Sequence, residues 1–386
     1  MHFKRVAATA GALASIIVVS ACSVDGTATR SPIDLDTGTF RTTLAAPAGD
    51  AKTDAEMAKV SALRLAEHVV FRTEIDPALT KFSMPTYPIA GPGGLKAVIT
   101  GVDDLPVVKE KLRYGFSLAG STPINDKSDK GLNHVVLVFA DSAAATEAAD
   151  VMSAQLIKDG TEDRRRSTTI PGMPAETRAL SGATFDGGRM TAAFTPVGDK
   201  VIYTWTDAKT DARWTETAVR TAFEKQKALL EGMPPIDEDR RIDPTGIMRA
   251  MFPMESAGTL MANSVLVGRA AAHAVGNSSA AHAENQKNGV TEVAVGESVI
   301  YRAGGDEQAG NVLKGLADLS GDPTATKAGS PQDLPTALCS TGKSSTGEAS
   351  AECSVAVGRY AAQVRTDDLK SAQQQISAQY ELLKQL

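Results

Sequence analysis

"VGDKVIYTWTD", Val197 to Asp207, has a counterpart in "VGRYAAQVRTD", Val357 to Asp367, and the matching Val-Gly and Thr-Asp pairs are displaced by the same 160 residues. Each stretch opens on a turn signal and continues as an extended run, Pro196-Val197-Gly198-Asp199 leading into Lys200 to Thr206 in the first copy. A fixed displacement across two separate letter pairs marks an internal repeat.

The elements around the two hairpins run in the same order. Asn133 to Gly160 reads as a buried strand entering a helix, with Asp141 or Ser142 as its cap and Gly160 as its stop. Arg178 to Thr206 is extended. A helix follows from about Thr210 to Glu231 and ends at Gly232 and Pro234-Pro235. In the second half, Thr291 to Leu319 is extended and then helical, with Val312, Leu313 and Leu316 along one face. Leu334 to Arg365 is extended around a polar loop, and a terminal helix capped at Thr366 carries Leu369, Ala372, Ile376, Tyr380 and Leu383. The expected fold is α+β: two similar lobes, each an antiparallel sheet packed with helices, in a strand-helix-strands-helix repeat related to the ferredoxin-like plan. The lobes span residues 54–232 and 245–386, joined by the acidic, proline-bearing stretch from Glu231 to Gly246.

Ahead of the first lobe, Thr53-Asp54-Ala55-Glu56 forms a capping box, and Met57, Val60, Leu63, Val69 and Val70 give the next helix an apolar stripe. Residues 22–53 are rich in Gly, Ser, Thr, Pro, Ala and Asp, the composition of a flexible tether. Residues 1–21 begin with Lys4 and Arg5 and continue uncharged from Val6 to Ala21, the layout of a secretion signal. Val19-Ser20-Ala21-Cys22 completes a lipobox. Cys22 is then the first mature residue and carries a diacylglyceryl thioether, with further acylation such as palmitate, because one chain alone holds a membrane only marginally.

Loss of Lys4 and Arg5 with the signal takes 40 basic residues to 38 against 46 acidic, so the formal charge moves from −6 to −8. An acidic body gives no electrostatic basis for binding nucleic acid or anionic lipid. The remaining cysteines, Cys339 and Cys353, are an even pair in an exported chain and are expected to form a disulfide.

Four groups of residues invite chemical readings. Ser340-Thr341-Gly342-Lys343 fits a serine-x-x-lysine pattern and Gly342-Lys343-Ser344 part of a phosphate loop, but a Ser/Gly-rich hairpin surrounds them and the partner motifs are missing. Met248, Met251 and Met254 sit three apart as Cu(I) thioethers can, yet Pro253 should end the helix begun at Asp243-Pro244, and core packing accounts for them better. His273 and His282, with Glu284, lack the third and fourth ligands that zinc requires. His68 and His134 lie on core elements, and Arg164 to Arg166 and Arg240-Arg241 read as solvated turns. No metal or cofactor is therefore expected.

The Cys22 lipobox, "LDTGTFRTT" (Leu35 to Thr43), "GRAAAHA" (Gly268 to Ala274) and "VAVGESVIYRA" (Val293 to Ala303) together resemble a family of exported lipoproteins of mycolic-acid-bearing actinobacteria. The resemblance implies an extracytoplasmic, lipid-anchored protein, a family without assigned activity, and no catalytic residues to carry over. The leading expectation is an envelope lipoprotein whose lobes bind a protein, glycan or lipid at or near their junction. An envelope hydrolase or transferase with a noncontiguous site is the second, and a spacer or scaffold the third.

Overall fold

Gly198 and Gly358 both take a left-handed φ, +58° and +53°, and each turns an antiparallel hairpin. The computed structural model describes residues 34–386 except 124–128, 161–163, 185–186, 235–238, 256–260, 319–324 and 345–346. Along the first lobe run α1 (Asp54–Leu65), α2 (Arg72–Ile75), β1 (Lys81–Ile89), α3 (Pro92–Lys96), α4 (Pro106–Lys111), β2 (Leu112–Ser121), β3 (Lys130–Phe139), α5 (Ser142–Asp159), β4 (Arg166–Thr168), β5 (Arg178–Ala183), β6 (Arg189–Val197), β7 (Lys200–Ala208) and α6 (Ala212–Glu231). The second lobe has β8 (Ser264–Val267), α7 (Ser278–Lys287), β9 (Glu292–Val295), β10 (Ser298–Arg302), α8 (Asp306–Asp318), β11 (Thr326–Ala328), β12 (Leu338–Lys343), β13 (Ala349–Val357), β14 (Tyr360–Thr366) and α9 (Leu369–Leu383).

Both sheets are antiparallel and seven-stranded, with orders β1-β2-β3-β7-β6-β5-β4 and β8-β9-β10-β14-β13-β12-β11. The topology is the same in the two lobes. Strands β4, β5 and β6 start at Arg166, Arg178 and Arg189, and β11, β12 and β13 start 160 residues later at Thr326, Leu338 and Ala349. The α+β class and the two-lobe repeat are thus observed.

The repeat itself is larger than its sequence pattern. Each lobe has three strands before its main helix, where the reading from Asn133 supplied one. Strand β1 escaped because Pro85 and Pro88 read as breakers, but β1 is an edge strand, where a missing N–H costs the ladder little. The terminal helix α9 is capped not by Thr366 but by Asp368, whose carboxylate accepts from the Ser371 N–H at 3.0 Å.

Residues 35–53 are no free tether. Leu35, Phe40 and Leu44 pack on the core of the second lobe, the Phe40 and Phe252 rings meet edge-on at 5.6 Å, and Arg41 donates to the Met251 carbonyl at 2.6 Å. Composition alone hid this strap because its three apolar side chains stand among small polar ones and bury only against residues some 200 or more positions away. Residues 22–34 are the part of the expected tether left outside it, and residues 1–33 lie outside the described residues.

Alternation along the strands gives each sheet two helix-covered faces. Helix α6 lies on the face of Thr191 and His134, reached by Thr215 and Gln226, and α5 lies on the face of Phe194 and Tyr203. Cys339 and Cys353 are cross-strand partners on β12 and β13 and are disulfide-bonded. Their counterparts 160 residues earlier, Ala179 and Ala193, are likewise partners, on β5 and β6, and are buried against Val219. Alanine is therefore accepted sterically at this place in the fold. Replacing both cysteines by alanine should cost only the cross-link, about 3 kcal/mol for a 14-residue separation. The expected result is a lower urea midpoint with unchanged circular dichroism, and Ala179→Cys with Ala193→Cys should form an equivalent bond in the first lobe, read as one further cross-link by mass.

Candidate functional site

The two lobes are joined by a segment of the second that is built into the first. Met261, Leu266 and Ala270 belong to the same buried cluster as Leu65, Phe116 and Val136 of the first lobe. The chain enters this segment through β8 and turns at Gly268, whose φ of +46° strains any other residue and where a Cβ, 2.1 Å from Glu67 Oε1, would displace that carboxylate. The Glu67 carboxylate receives the Arg269 and Ala270 amides, while burial pushes its pKa up. Arg269 stacks its guanidinium 3.9 Å from the Phe71 ring centre and pairs with Glu74 at 2.6 Å.

Beyond this turn, Arg72 is 1% exposed and donates to the carbonyls of His273, Val275 and Gly276. His273 is fully buried between Phe71 and Phe116, at 4.9 and 5.0 Å between ring centres, and its Nε2 donates to the Ala66 carbonyl at 2.9 Å. Burial, with the nearby cations Arg269 and Arg72, lowers its pKa to about 3. "GRAAAHA" is thus a latch between the lobes.

Next to the latch, α1, β8 and residues 241–244 enclose a cavity of about 270 Å³. Val60, Leu63, Ile242, Pro244, Val265 and Val267 give it apolar walls, and Glu56, Lys59, Arg64 and Arg241 also line it. Lys59 donates to the Ala262 carbonyl at 2.9 Å and Arg64 pairs with Asp239 at 3.7 Å, so these α1 side chains are held by the second lobe's entry segment and by the linker.

The residues singled out from sequence are distributed as follows. His273 and His282 do come together, both against Phe71, His282 at 5.4 Å, but as ring packing. Among the described residues no group of three or more His, Cys, Asp or Glu could hold a metal ion. Met251 is buried in the second core and Met248 packs against it. The helix expected from Asp243-Pro244 is instead a single 3₁₀ turn, Ile247–Ala250, because the Asp243 carboxylate ties down the Gly246 and Met248 amides. Ser340 to Lys343 lie along β12 and its hairpin turn, not at a helix start. His134 is buried under α6, bonded to Thr204 at 2.8 Å and Gln226 at 3.1 Å, and burial lowers its pKa to about 4. Neither His134 nor His273 lines the junction cavity. Cys22 and the lipobox lie outside the described residues. Sequence reasoning missed Arg72, Glu67 and Arg269. The signal available was three charged residues in chain segments otherwise destined for the core.

Residues 48–245 match the family described as domain of unknown function (DUF7373) N-terminal, and residues 248–385 match its C-terminal domain. No curated protein matches the chain in sequence. Among solved structures, the extracellular domain of PknH from Mycobacterium tuberculosis is similar at 13% identity and a TM-score of 0.30, over 44% of this chain and 96% of that one.

Proposed function

The chain belongs to the DUF7373 family, across both of its domains, and from that premise we propose that it is an extracytoplasmic binding protein, anchored to the membrane through a lipid on Cys22, that holds the acyl chain of a small amphiphile at the lobe junction. The junction cavity carries this reading. Its lining combines the apolar side chains of Val60, Leu63, Ile242, Pro244, Val265 and Val267 with the charged Glu56, Lys59, Arg64 and Arg241, the two kinds of contact that an acyl chain with a polar head requires. Its 270 Å³ has room for about nine groups of the ~30 Å³ that a water molecule occupies. The anchor rests on Val19-Ser20-Ala21-Cys22. Among the described residues no helix is long and apolar enough to cross a membrane.

Calorimetric titration with decanoic acid should show one saturable site in the wild-type protein. Val60→Trp, which fills the cavity from α1, should abolish it while the thermal midpoint stays within a few degrees. No heat with the wild type, or equal heat with the variant, would refute the ligand reading. The anchor is tested separately: native protein extracted in detergent should carry added fatty mass on a peptide beginning at Cys22, and Cys22→Ser should move the protein to the aqueous phase.

A further inference from the structure

On the first lobe, the sheet face that carries α5 is covered by that helix chiefly over β5, β6 and β7, and a second cavity of about 590 Å³ opens beside the helix over β1, β2, β3 and β7. Strand register builds its floor. Ser83 pairs with Ala119, Ala119 with Asn133 and Asn133 with Trp205, so these four side chains form one row across four strands on one face. The small side chain of Ala119 gives the row its depth, and the residues 98–100 and the end of α5 wall it in. The volume lies within the range of small-molecule sites.

We propose that this cleft binds a neutral saccharide, with the sugar ring laid on Trp205 and its hydroxyls bonded by Asn133 and Ser83. A sugar ring presents an apolar C–H face and a rim of hydroxyls that each donate and accept. The row supplies the complement of both. Trp205 is a half-buried aromatic facing the cleft, and its indole N–H has no hydrogen-bond partner among the described residues. The Asn133 amide is held in place, its Oδ1 3.2 Å from the Ser117 hydroxyl and its amide nitrogen donating to the carbonyl of Val98 on the cleft wall at 3.3 Å. An amide has four hydrogen-bonding places, so two remain to face a ligand, already oriented. Asp159 and Arg165 also line the cleft, and polar groups of both kinds around one flat ring suit the hydroxyls of a sugar better than an acyl chain, which the smaller junction cavity matches; the two sites are independent.

The chain has two tryptophans, and they separate the signals. Trp214 lies on α6 with its Nε1 donating to Asp76 at 2.7 Å, away from the cleft. The full ectodomain is titrated with maltose, cellobiose, trehalose, arabinose and N-acetylglucosamine at millimolar concentrations, read by tryptophan emission and by saturation-transfer NMR on the sugar. At least one sugar should shift the emission saturably. The shift should survive Trp214→Phe and vanish in Trp205→Phe, and Asn133→Ala should raise Kd roughly tenfold or more, the cost of a lost hydrogen bond of about 1.4 kcal/mol. Thermal midpoints of the variants show that each is folded, and Ala119→Leu, which blocks the floor without touching a polar group, should also abolish binding. The proposal is overturned if no sugar gives an NMR signal with the wild type, if the shift persists in Trp205→Phe, or if decanoic acid alone occupies the cleft.

Discussion

Acidification from neutral pH to about pH 4 should remove on the order of 5 kcal/mol of stability, a large part of what a folded protein has. The cause is the pair of buried imidazoles, His134 and His273, which burial holds at about 4 and about 3 in the folded protein, well below the ordinary 6.5. Both folded-state values are depressed, so the unfolded chain takes up protons first as the pH falls through 6.5. Stability is complete above that value and is lost as the pH falls from it to about 4 for His134 and to about 3 for His273. Around His273 the neighbouring charges are Arg269 and Arg72, which resist a third positive charge, and its one carbonyl partner, Ala66, favours protonation less than burial opposes it. Glu67, whose carboxyl burial raises, acts in the opposite sense near the bottom of the window. Urea midpoints from pH 7 to pH 4 should fall steadily, and His273→Phe, which keeps a ring between Phe71 and Phe116, should halve the slope. A flat profile would sink the account.

Arg72→Ala should be the most damaging single substitution outside the aliphatic core, at about 3 to 5 kcal/mol or roughly a 10 °C fall in Tm. The substitution strands the carbonyls of His273, Val275 and Gly276, each of which loses a charged donor, and empties the space the guanidinium fills. Arg72→Lys should recover little, because one ammonium cannot reproduce the planar fork that spans three carbonyls. Hydrogen exchange locates the damage: amides of 268–276 should exchange early while β2, β3 and β7 stay protected. A variant within about 1 kcal/mol of the wild type would show that the latch closes without its arginine.

The hairpins around Gly198 and Gly358 were legible because turn chemistry is local and the 160-residue offset repeats. So were α5 and α6, whose caps Asp141 and Asp211 sit immediately before them. The latch was not legible. Arg72 and its carbonyl partners are separated by 201 to 204 residues, and nothing in either segment names the other. The strap failed for the same reason, with Asp36 bonded to Gln374 across 338 residues. The junction cavity follows from the latch, and none of the segments that form it announces it alone. The floor of the cleft on the first lobe could be assembled only once register placed Ser83, Asn133 and Trp205 in line.

Because Met261, Leu266 and Ala270 complete the first lobe's hydrophobic cluster, that lobe is unfinished until synthesis has passed them. Contacts this far apart along the chain form late, since a long loop must close before they contribute. A polypeptide emerging from its amino end would thus expose the empty socket around Phe71 and Phe116 for the time needed to deliver some 200 more residues. A folding helper that shields that socket would act in this interval, and gene fragments cut at the interlobe linker should yield an aggregating first half.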